Sequence, residues 1–379
     1  MTIAGLLFCL FNGCASDSGL NKIPVNNRWS VEDVSNYFRV QEVLISQEIS
    51  YLIGGKISDF YVLEPGIVLA SSQSKTVTKL TMGGELIWQL KPDPSALNRF
   101  SDFDLVNYNP SLKLIEIYDP NIFTMYYYGL NGEFIKKEEI AFDFADRESV
   151  ENNGDVYLYD CSIFNNGHIW GDQQTFNLFT ARNDLVLDRY YKAIPLPVDE
   201  VSFLDDNSFQ RYKNRIFYMK EFSEDTFIFK DGEGFVLDHS IGYDVPVTSY
   251  DVIANHDVKD KFKYIAEEAI PYTMQSIQVG GNVFATTYVG GEEFLTLIDN
   301  ESGDSRMMKY MKIDGGLYPV PYLYSNDYFL STYPSYVAEY LDGDDSGHAK
   351  KISEDVNSMV ENKGDKSSLR FVLFSPKEY

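Results

Sequence analysis

Downstream of residue 37 the chain alternates short apolar or aromatic runs with clusters of Gly, Asn, Asp and Pro, a pattern of strands and turns. GIVLASS (66–72), TVTKLT (76–81) and GGELIWQL (83–90) are separated by a polar turn and by Met82-Gly83-Gly84, and predict a three-strand meander. The same order returns in KLIEIYD (113–119), FTMYYYG (123–129) and LNGEFIKKEEI (130–140), where Asn131-Gly132 signals a hairpin because both residues accept positive φ. It returns again from 167 (GHIWGD, TFNLFTAR, LVLDRYY), from 215 (RIFYMKE, DTFIFKD, GFVLDHS), from 282 (NVFATTYV, EEFLTLID, SRMMKYMK) and from 327 (DYFLSTY). One segment breaks the rhythm: DVKDKFKYIAEEAI (257–270) carries Phe262, Ile265 and Ala269 at helical spacing and predicts a helix.

The first strands of these units begin at Ile67, Leu114, Ile169, Ile216, Val283 and Tyr328, separated by 47, 55, 47, 67 and 45 residues. That spacing, with several strands per unit, predicts an all-β fold: a six-bladed β-propeller of four-stranded antiparallel blades. The longest interval holds the helical segment 257–270, which reads as an insertion between blades. Preceding runs, KISDFYVL (56–63), RFSDFDLV (99–106), VYLYDCSIF (156–164), YTMQSIQV (272–279) and YPVPYLYS (318–325), are expected as innermost strands lining the channel. The sixth unit lacks two strands after Tyr333. YFRVQEVLIS (37–46) and SLRFVLFSP (368–376) supply them, so that strands from both ends of the chain close the last blade and remove its free edges. The polar segment 341–366 is expected as a loop or short helix within that blade.

Ahead of the strands, Ile3 to Phe11 form an apolar run too short to span roughly 30 Å of hydrocarbon but suited to the core of a signal peptide. Gly13 before Cys14 matches part of a bacterial lipobox, in which a signal peptidase cuts before an acylated cysteine. Phe11 and Asn12 stand where an aliphatic and a small residue are usual, and no Lys or Arg precedes the run, so either the true start lies upstream of Met1 or the resemblance to a lipobox is accidental. The stretch after Cys14, ASDSGLNKIPVNN, is small and polar and suits a tether. The chain therefore divides into a lipoprotein signal peptide (1–13), a flexible tether (14–36) and the propeller (37–379), with Cys14 as the lipid attachment site. A frayed N-terminus on a cytoplasmic protein is the alternative.

Composition limits the partners. Against 57 acidic residues stand 32 basic ones, a net charge of −25, so nucleic acid and bare anionic membrane are repelled at long range. Contact with a membrane is expected through the lipid anchor only. With 28 Tyr and 26 Phe, the chain favours pleated surfaces over helices. Cys9, Cys14 and Cys161 cannot form a disulfide framework, and Cys161 reads as a small buried hydrophobe in a strand.

Taken in order, ISYLIGGKISDFYVLEPGIVLASSQSKTVTKLTMGGELIWQL, FSDFDLV with YGLNGEFIKK, RIFYMKEFSEDTFIFKDGEGFVLDHSIGYDVP and IDGGLYPVPYLYSNDYFLSTY resemble the six-bladed β-propeller lipoprotein family of Gram-negative gut bacteria. The resemblance covers nearly the whole mature chain. It implies a lipid-anchored propeller outside the inner membrane, in the cell envelope at the outer membrane, and no settled activity.

Candidate chemistry is sparse. His168, His239, His256 and His348 are far apart in sequence and have no Cys or His partner at ligand spacing, so neither metal nor other cofactor is expected; His239 and His256 are expected in solvent. The loop Asp342-Gly343-Asp344-Asp345-Ser346-Gly347 begins like a calcium loop, but Ser353 stands at the twelfth position, and it reads as a solvated acidic loop. There is no Gly-x-Ser-x-Gly elbow. Asp59, Asp102, Asp104 and Asp160 lie on or beside the expected innermost strands and could ring one channel mouth. Trp88, Trp170 and Tyr126-Tyr127-Tyr128 suit sugar stacking, yet sit in strand runs where packing is the first demand. Tyr318, Tyr322 and Tyr324 share one parity, so on a single strand their rings would face one side. These three tyrosines, with Asp102 and Asp104, are the ligand-contact candidates. The expectation is a monomeric, non-catalytic binding module for a glycan, a peptide or an envelope protein; the alternative is a propeller enzyme of lyase or lactonase type with its site at a channel mouth.

Overall fold

Six four-stranded antiparallel sheets follow one another along the chain and stand around a common centre. The structure is a computed structural model that describes residues 23, 31–54, 57–140, 146–150, 156–160, 178–182, 187–191, 209–213, 215–219, 224–230, 233–243, 271–321, 323–325, 327–334 and 369–377. The chain enters through β1 (Val31–Asp33), β2 (Phe38–Ile45) and α1 (Gln47–Ile53). Blade 1 is β3 (Ile57–Leu63), β4 (Gly66–Ser71), β5 (Thr76–Thr81) and β6 (Leu86–Leu90); blade 2 is β7 (Leu105–Asn109), β8 (Leu114–Asp119), β9 (Thr124–Gly129) and β10 (Phe134–Glu139). Blade 3 is β11 (Asp146–Val150), β12 (Val156–Asp160), β13 (Leu178–Arg182) and β14 (Leu187–Tyr191); blade 4 is β15 (Phe209–Tyr212), β16 (Arg215–Met219), β17 (Asp225–Lys230) and β18 (Gly234–Ser240). Blade 5 is β19 (Tyr272–Val279), β20 (Asn282–Val289), β21 (Glu292–Asp299) and β22 (Ser305–Met308). After an excursion through β23 (Tyr310–Ile313) and β24 (Gly316–Pro319), blade 6 is built from β25 (Leu323–Ser325), β26 (Tyr328–Pro334), β27 (Leu369–Pro376) and, outermost, β2. The innermost strands β3, β7, β11, β15, β19 and β25 meet around the centre, and the fold is the expected six-bladed propeller.

Both faces of a blade are covered by its neighbours, which is why every residue of β4 and β9 is buried. Val68, Ala70 and Val77 of blade 1 pack on Val106, Ile115, Ile117, Tyr126 and Tyr128 of blade 2. Their strand neighbours of opposite parity, Ile67, Leu69 and Leu80, pack on Val43, Ile45, Leu330, Phe371 and Leu373 of blade 6. Between blades 5 and 6 the ring of Phe38 lies edge-on to Phe284 at 5.0 Å and to Phe329 at 5.8 Å. As expected, the two ends of the chain close the ring: β2 and β27 pair along eight residues, from Phe38 with Pro376 to Ile45 with Leu369.

The structure corrects several expectations. YPVPYLYS is not one innermost strand: Tyr318 lies on β24, in a small sheet with β1 and β23, whereas Tyr324 lies on β25 in blade 6. Pro319 and Pro321 cannot donate to a ladder, so the run breaks between them and the shared-face premise falls. SRMMKYMK is likewise divided between β22 and β23. In blade 3 the run beginning at Val156 is the second strand, and the polar stretch Asp146–Val150 is the innermost one. In blade 2 the innermost strand starts at Leu105, leaving Asp102 and Asp104 in the connection before it. Pairing also occurs before Tyr37, within the stretch 14–36 expected as a tether: β1 pairs in parallel with β23, and Ile23 bridges Tyr243. A two-turn helix, α1, joins blades 6 and 1, started by Ser46, whose Oγ accepts from Ile49 N, and stopped by Gly54 at φ 62°. The helical run 257–270 and the acidic loop 342–347 lie outside the described residues.

Candidate functional site

Two equivalent turns and one connection build the rim between blades 1 and 2. Lys75 ends the β4–β5 turn at φ 53°, Phe123 ends the β8–β9 turn at φ 49°, and Lys113 holds the same place before β8 at φ 54°. A side chain in this left-handed region costs roughly 1–2 kcal/mol relative to glycine. Lys75 makes use of the position: its Nζ donates to the Phe103 carbonyl at 2.7 Å and pairs with Asp102 at 3.0 Å and Asp104 at 3.8 Å. All three charged groups are partly exposed, so the ion pairs contribute at most about 1 kcal/mol. The next link is Asp119, fully buried at the end of β8. Its Oδ2 accepts from the N–H and hydroxyl of Ser101 at 2.6 and 2.7 Å, and its Oδ1 accepts from Asn121 N at 3.1 Å. One carboxylate thus fastens the connection bearing Asp102 and Asp104 to the turn bearing Ile122 and Phe123.

That turn holds its apolar side chains in solvent, with Ile122 49% and Phe123 48% exposed. Its backbone is nevertheless anchored, because the Phe123 carbonyl accepts from Ile140 N at 2.7 Å. On the connection before β7, Asp104 keeps 64% of its side chain exposed. The rim therefore presents two exposed apolar side chains on a turn that Asp119 ties to the connection bearing Asp102 and Asp104, an arrangement suited to holding a ligand with both apolar and cationic groups.

A second polar cluster lies between blades 4 and 5. His239 Nδ1 is 2.8 Å from Asp238 Oδ2, and its Nε2 is 2.6 Å from Ser276 Oγ. The connectivity is that of a nucleophile, base and orienting carboxylate. Ser276, however, is only 1% exposed within the blade interface. Arg215 shares the carboxylate, with Nη2 at 2.8 Å from Asp238 Oδ1, and its Nη1 donates to the Gln278 carbonyl at 3.1 Å. Burial opposes ionisation of Asp238, but the His239 hydrogen bond and the Arg215 charge outweigh it, and the carboxyl stays below its ordinary pKa. Next to this set, the Tyr243 hydroxyl bonds to Thr273 at 2.7 Å and Thr287 at 2.9 Å, and burial pushes its pKa up to about 12. The cluster joins two blades. It also corrects the expectation of a solvent-facing His239, whose partner Ser276 lies on another blade and gives no signal along the chain.

The other candidates are dispersed. Tyr318 donates to Glu42 Oε1 at 3.2 Å and sets its ring 5.8 Å from Phe374. Tyr324 is placed on β25 by its backbone; Tyr322, Cys14, Cys161, Trp170, His168, His256 and His348 lie outside the described residues. Asp59 sits on innermost β3, Asp102 and Asp104 precede innermost β7, and Asp160 sits on the second strand of blade 3, one strand out from the centre. Trp88 and Tyr126 to Tyr128 serve packing: Trp88 Nε1 donates to the Leu130 carbonyl at 3.0 Å, and the three tyrosines are buried. Sequence reasoning finds Asp102 and Asp104 but misses Ile122 and Phe123, although an Ile-Phe pair where turns favour Gly, Asn or Asp is a readable anomaly.

No family model matches the chain, and no curated protein matches it. Among solved structures it is similar to a protein of Bacteroides fragilis designated as exported, at 11% identity over 94% of this chain and 99% of that chain, with a TM-score of 0.64. It is also similar to a member of the duf4221 family from Bacteroides vulgatus, at 8% identity over 91% of this chain and 100% of that chain, with a TM-score of 0.49. At such identity the likeness is one of fold alone.

Proposed function

We propose that the protein is a lipid-anchored, extracytoplasmic propeller of the outer membrane that acts as a non-catalytic binding module, and that its rim between blades 1 and 2 receives an apolar, basic polypeptide segment of an envelope partner. The observation carrying this reading is Phe123, a bulky residue kept half-exposed at φ 49° where the equivalent turn of blade 1 places Lys75 and that of blade 5 places Gly291. Backbone strain that supports an exposed apolar side chain is retained where that side chain is used. The carboxylates of Asp102 and Asp104 on the connection tied to that turn, within a chain of net charge −25, favour a cationic ligand. The exported designation of the Bacteroides fragilis neighbour and the lipobox-like setting of Cys14 support the address. The lyase- or lactonase-type alternative would draw on Asp238, His239 and Ser276, and the burial of Ser276 weighs against it.

The test is Phe123→Gly in the chain lacking residues 1–13. Glycine relieves the left-handed strain, so stability is expected to stay level or rise by up to about 1 kcal/mol in urea unfolding. On displayed peptide libraries, wild type is expected to select Lys/Arg-bearing apolar peptides, and the variant to bind them about tenfold more weakly. Selection of glycans alone on a parallel array, peptide binding unchanged in the variant, or loss of stability in the variant would each overturn the reading.

A further inference from the structure

The path of the N-terminal segment determines which side of the ring a lipid on Cys14 brings to a bilayer. Ile23 is fully buried; its N–H donates to the Gly242 carbonyl at 3.0 Å, and its side chain packs with Ile241 and Tyr243 beyond blade 4 and with Val283, Ala285 and Phe294 of blade 5. Farther along, Val31–Asp33 lie parallel to β23, and Val34 N donates to the Lys312 carbonyl at 2.9 Å. The Ser35 hydroxyl then accepts from Asp314 N at 3.0 Å, and the Ser35 carbonyl accepts from Lys377 Nζ at 2.6 Å, at the end of blade 6. Only after these contacts does the chain enter β2. Ile23 is therefore seated at the blade 4–5 boundary, and Val31–Ser35 on the β23–β24 excursion and on blade 6.

From Cys14 to Ile23 is nine residues, which extend to at most about 30 Å. We infer that Ile23 and Val31–Ser35 are the two seats of a strap that orients the ring at a lipid surface: the blade 4–5 boundary is held towards the bilayer, and the blade 1–2 rim, diametrically opposite in a ring of six, faces away from it. The inference rests on the reading of Cys14 as the lipid attachment site. Surface adhesion cannot supply this orientation, because a body of net charge −25 is repelled by anionic headgroups. A lipid on a long linker would let any side of the ring approach the bilayer; a leash of at most about 30 Å keeps the residue at which it enters the fold nearer the surface than the opposite side. The consequence is that the proposed binding rim points to where a partner approaches, and not at the membrane.

The geometry can be measured without the cell's own acylation. The chain beginning at Cys14, with Cys161→Ser, is coupled through Cys14 to maleimide lipid in phosphatidylcholine vesicles whose headgroups carry an energy-transfer acceptor. A donor is attached through a genetically encoded azide-bearing residue in place of Gly242, where a Cβ meets nothing within 4 Å, or of Leu97, which is 85% exposed between blades 1 and 2. Transfer is expected to be about twofold or more greater from 242 than from 97, and about twenty Gly/Ser residues inserted between Leu20 and Asn21 should abolish the difference. Equal transfer from the two positions before the insertion overturns the strap. Mass spectrometry of the native protein reads the other question separately: unmodified Cys14 removes the anchor while the vesicle measurement still stands or falls on its own.

Discussion

Gly84 and Gly132 hold the same place in successive blades, each closing the outer hairpin at φ 84° and 82°. Each also lies against the preceding blade. A Cβ on Gly84 would run into the Leu44 carbonyl oxygen of blade 6, and one on Gly132 would sit 3.0 Å from the Trp88 ring of blade 1. Beside Gly132 the Leu130 carbonyl accepts from both Trp88 Nε1 and Lys79 Nζ, the latter at 2.9 Å, and burial lowers the Lys79 pKa. Gly280, in a hairpin turn of blade 5 at φ 59°, has the same backbone demand, but a Cβ added there would meet no neighbour within 4 Å. Gly280→Ala should therefore cost only the backbone term, about 1 kcal/mol, whereas Gly84→Ala should cost at least about 2 kcal/mol more because a carbonyl of another blade must move. Paired urea melts check this; equal losses would mean that the hairpin tip is not a contact between blades. Asn131-Gly132 is legible in the sequence as a turn. Its second role is not, because Trp88 is remote in the chain and nothing local records the approach.

At the scale of elements, legibility follows how much of a strand's burial is apolar. Blades 1 and 5 are readable nearly strand for strand because GIVLAS, TVTKLT and NVFATTYV carry continuous apolar or β-branched runs. The innermost strand of blade 3, DRESV, carries none until its last residue, and the four-residue FQRY of blade 4 is too short to stand out. Innermost strands are fixed by their place at the centre of the ring, a tertiary cause that local pattern does not carry. The blade 4–5 contact is equally non-local. There the depressed pKa of Asp238 links stability to pH with a definite sign: the unfolded chain takes up a proton first as pH falls, so the contribution is complete above the ordinary aspartate value near 4 and is lost as pH drops through the lower folded value. Asp238→Asn should be less stable than wild type at neutral pH, and the gap should shrink on acidification below about pH 4. A gap independent of pH in acid-titrated melts would show that the carboxylate's charge does not hold the blades.

For the whole molecule, the ring depends on the pairing of β2 with β27, reinforced by Arg370 Nη1 at 2.9 Å from Glu42 Oε2. Removing residues 369–379 leaves β2 and β26 with bare edges and strips Phe371 and Leu373 from the blade 1–6 core and Val372 and Phe374 from the blade 5–6 core. Such a chain is expected to be insoluble or to associate, which sedimentation of the expressed truncation would detect; a soluble monomer with a cooperative melt would show that closure is dispensable. The same pairing sets an order in time. Its partners are separated by nearly the whole chain, as Glu42 and Arg370 are by 328 residues, and contacts so distant in sequence make folding slow. Blades 1 to 5 can assemble as they are synthesised, but β2, among the first strands made, waits unpaired until the last strand emerges. The interval between those two events is when the protein is most exposed to aggregation and to proteases, and it lengthens with every residue between the blades.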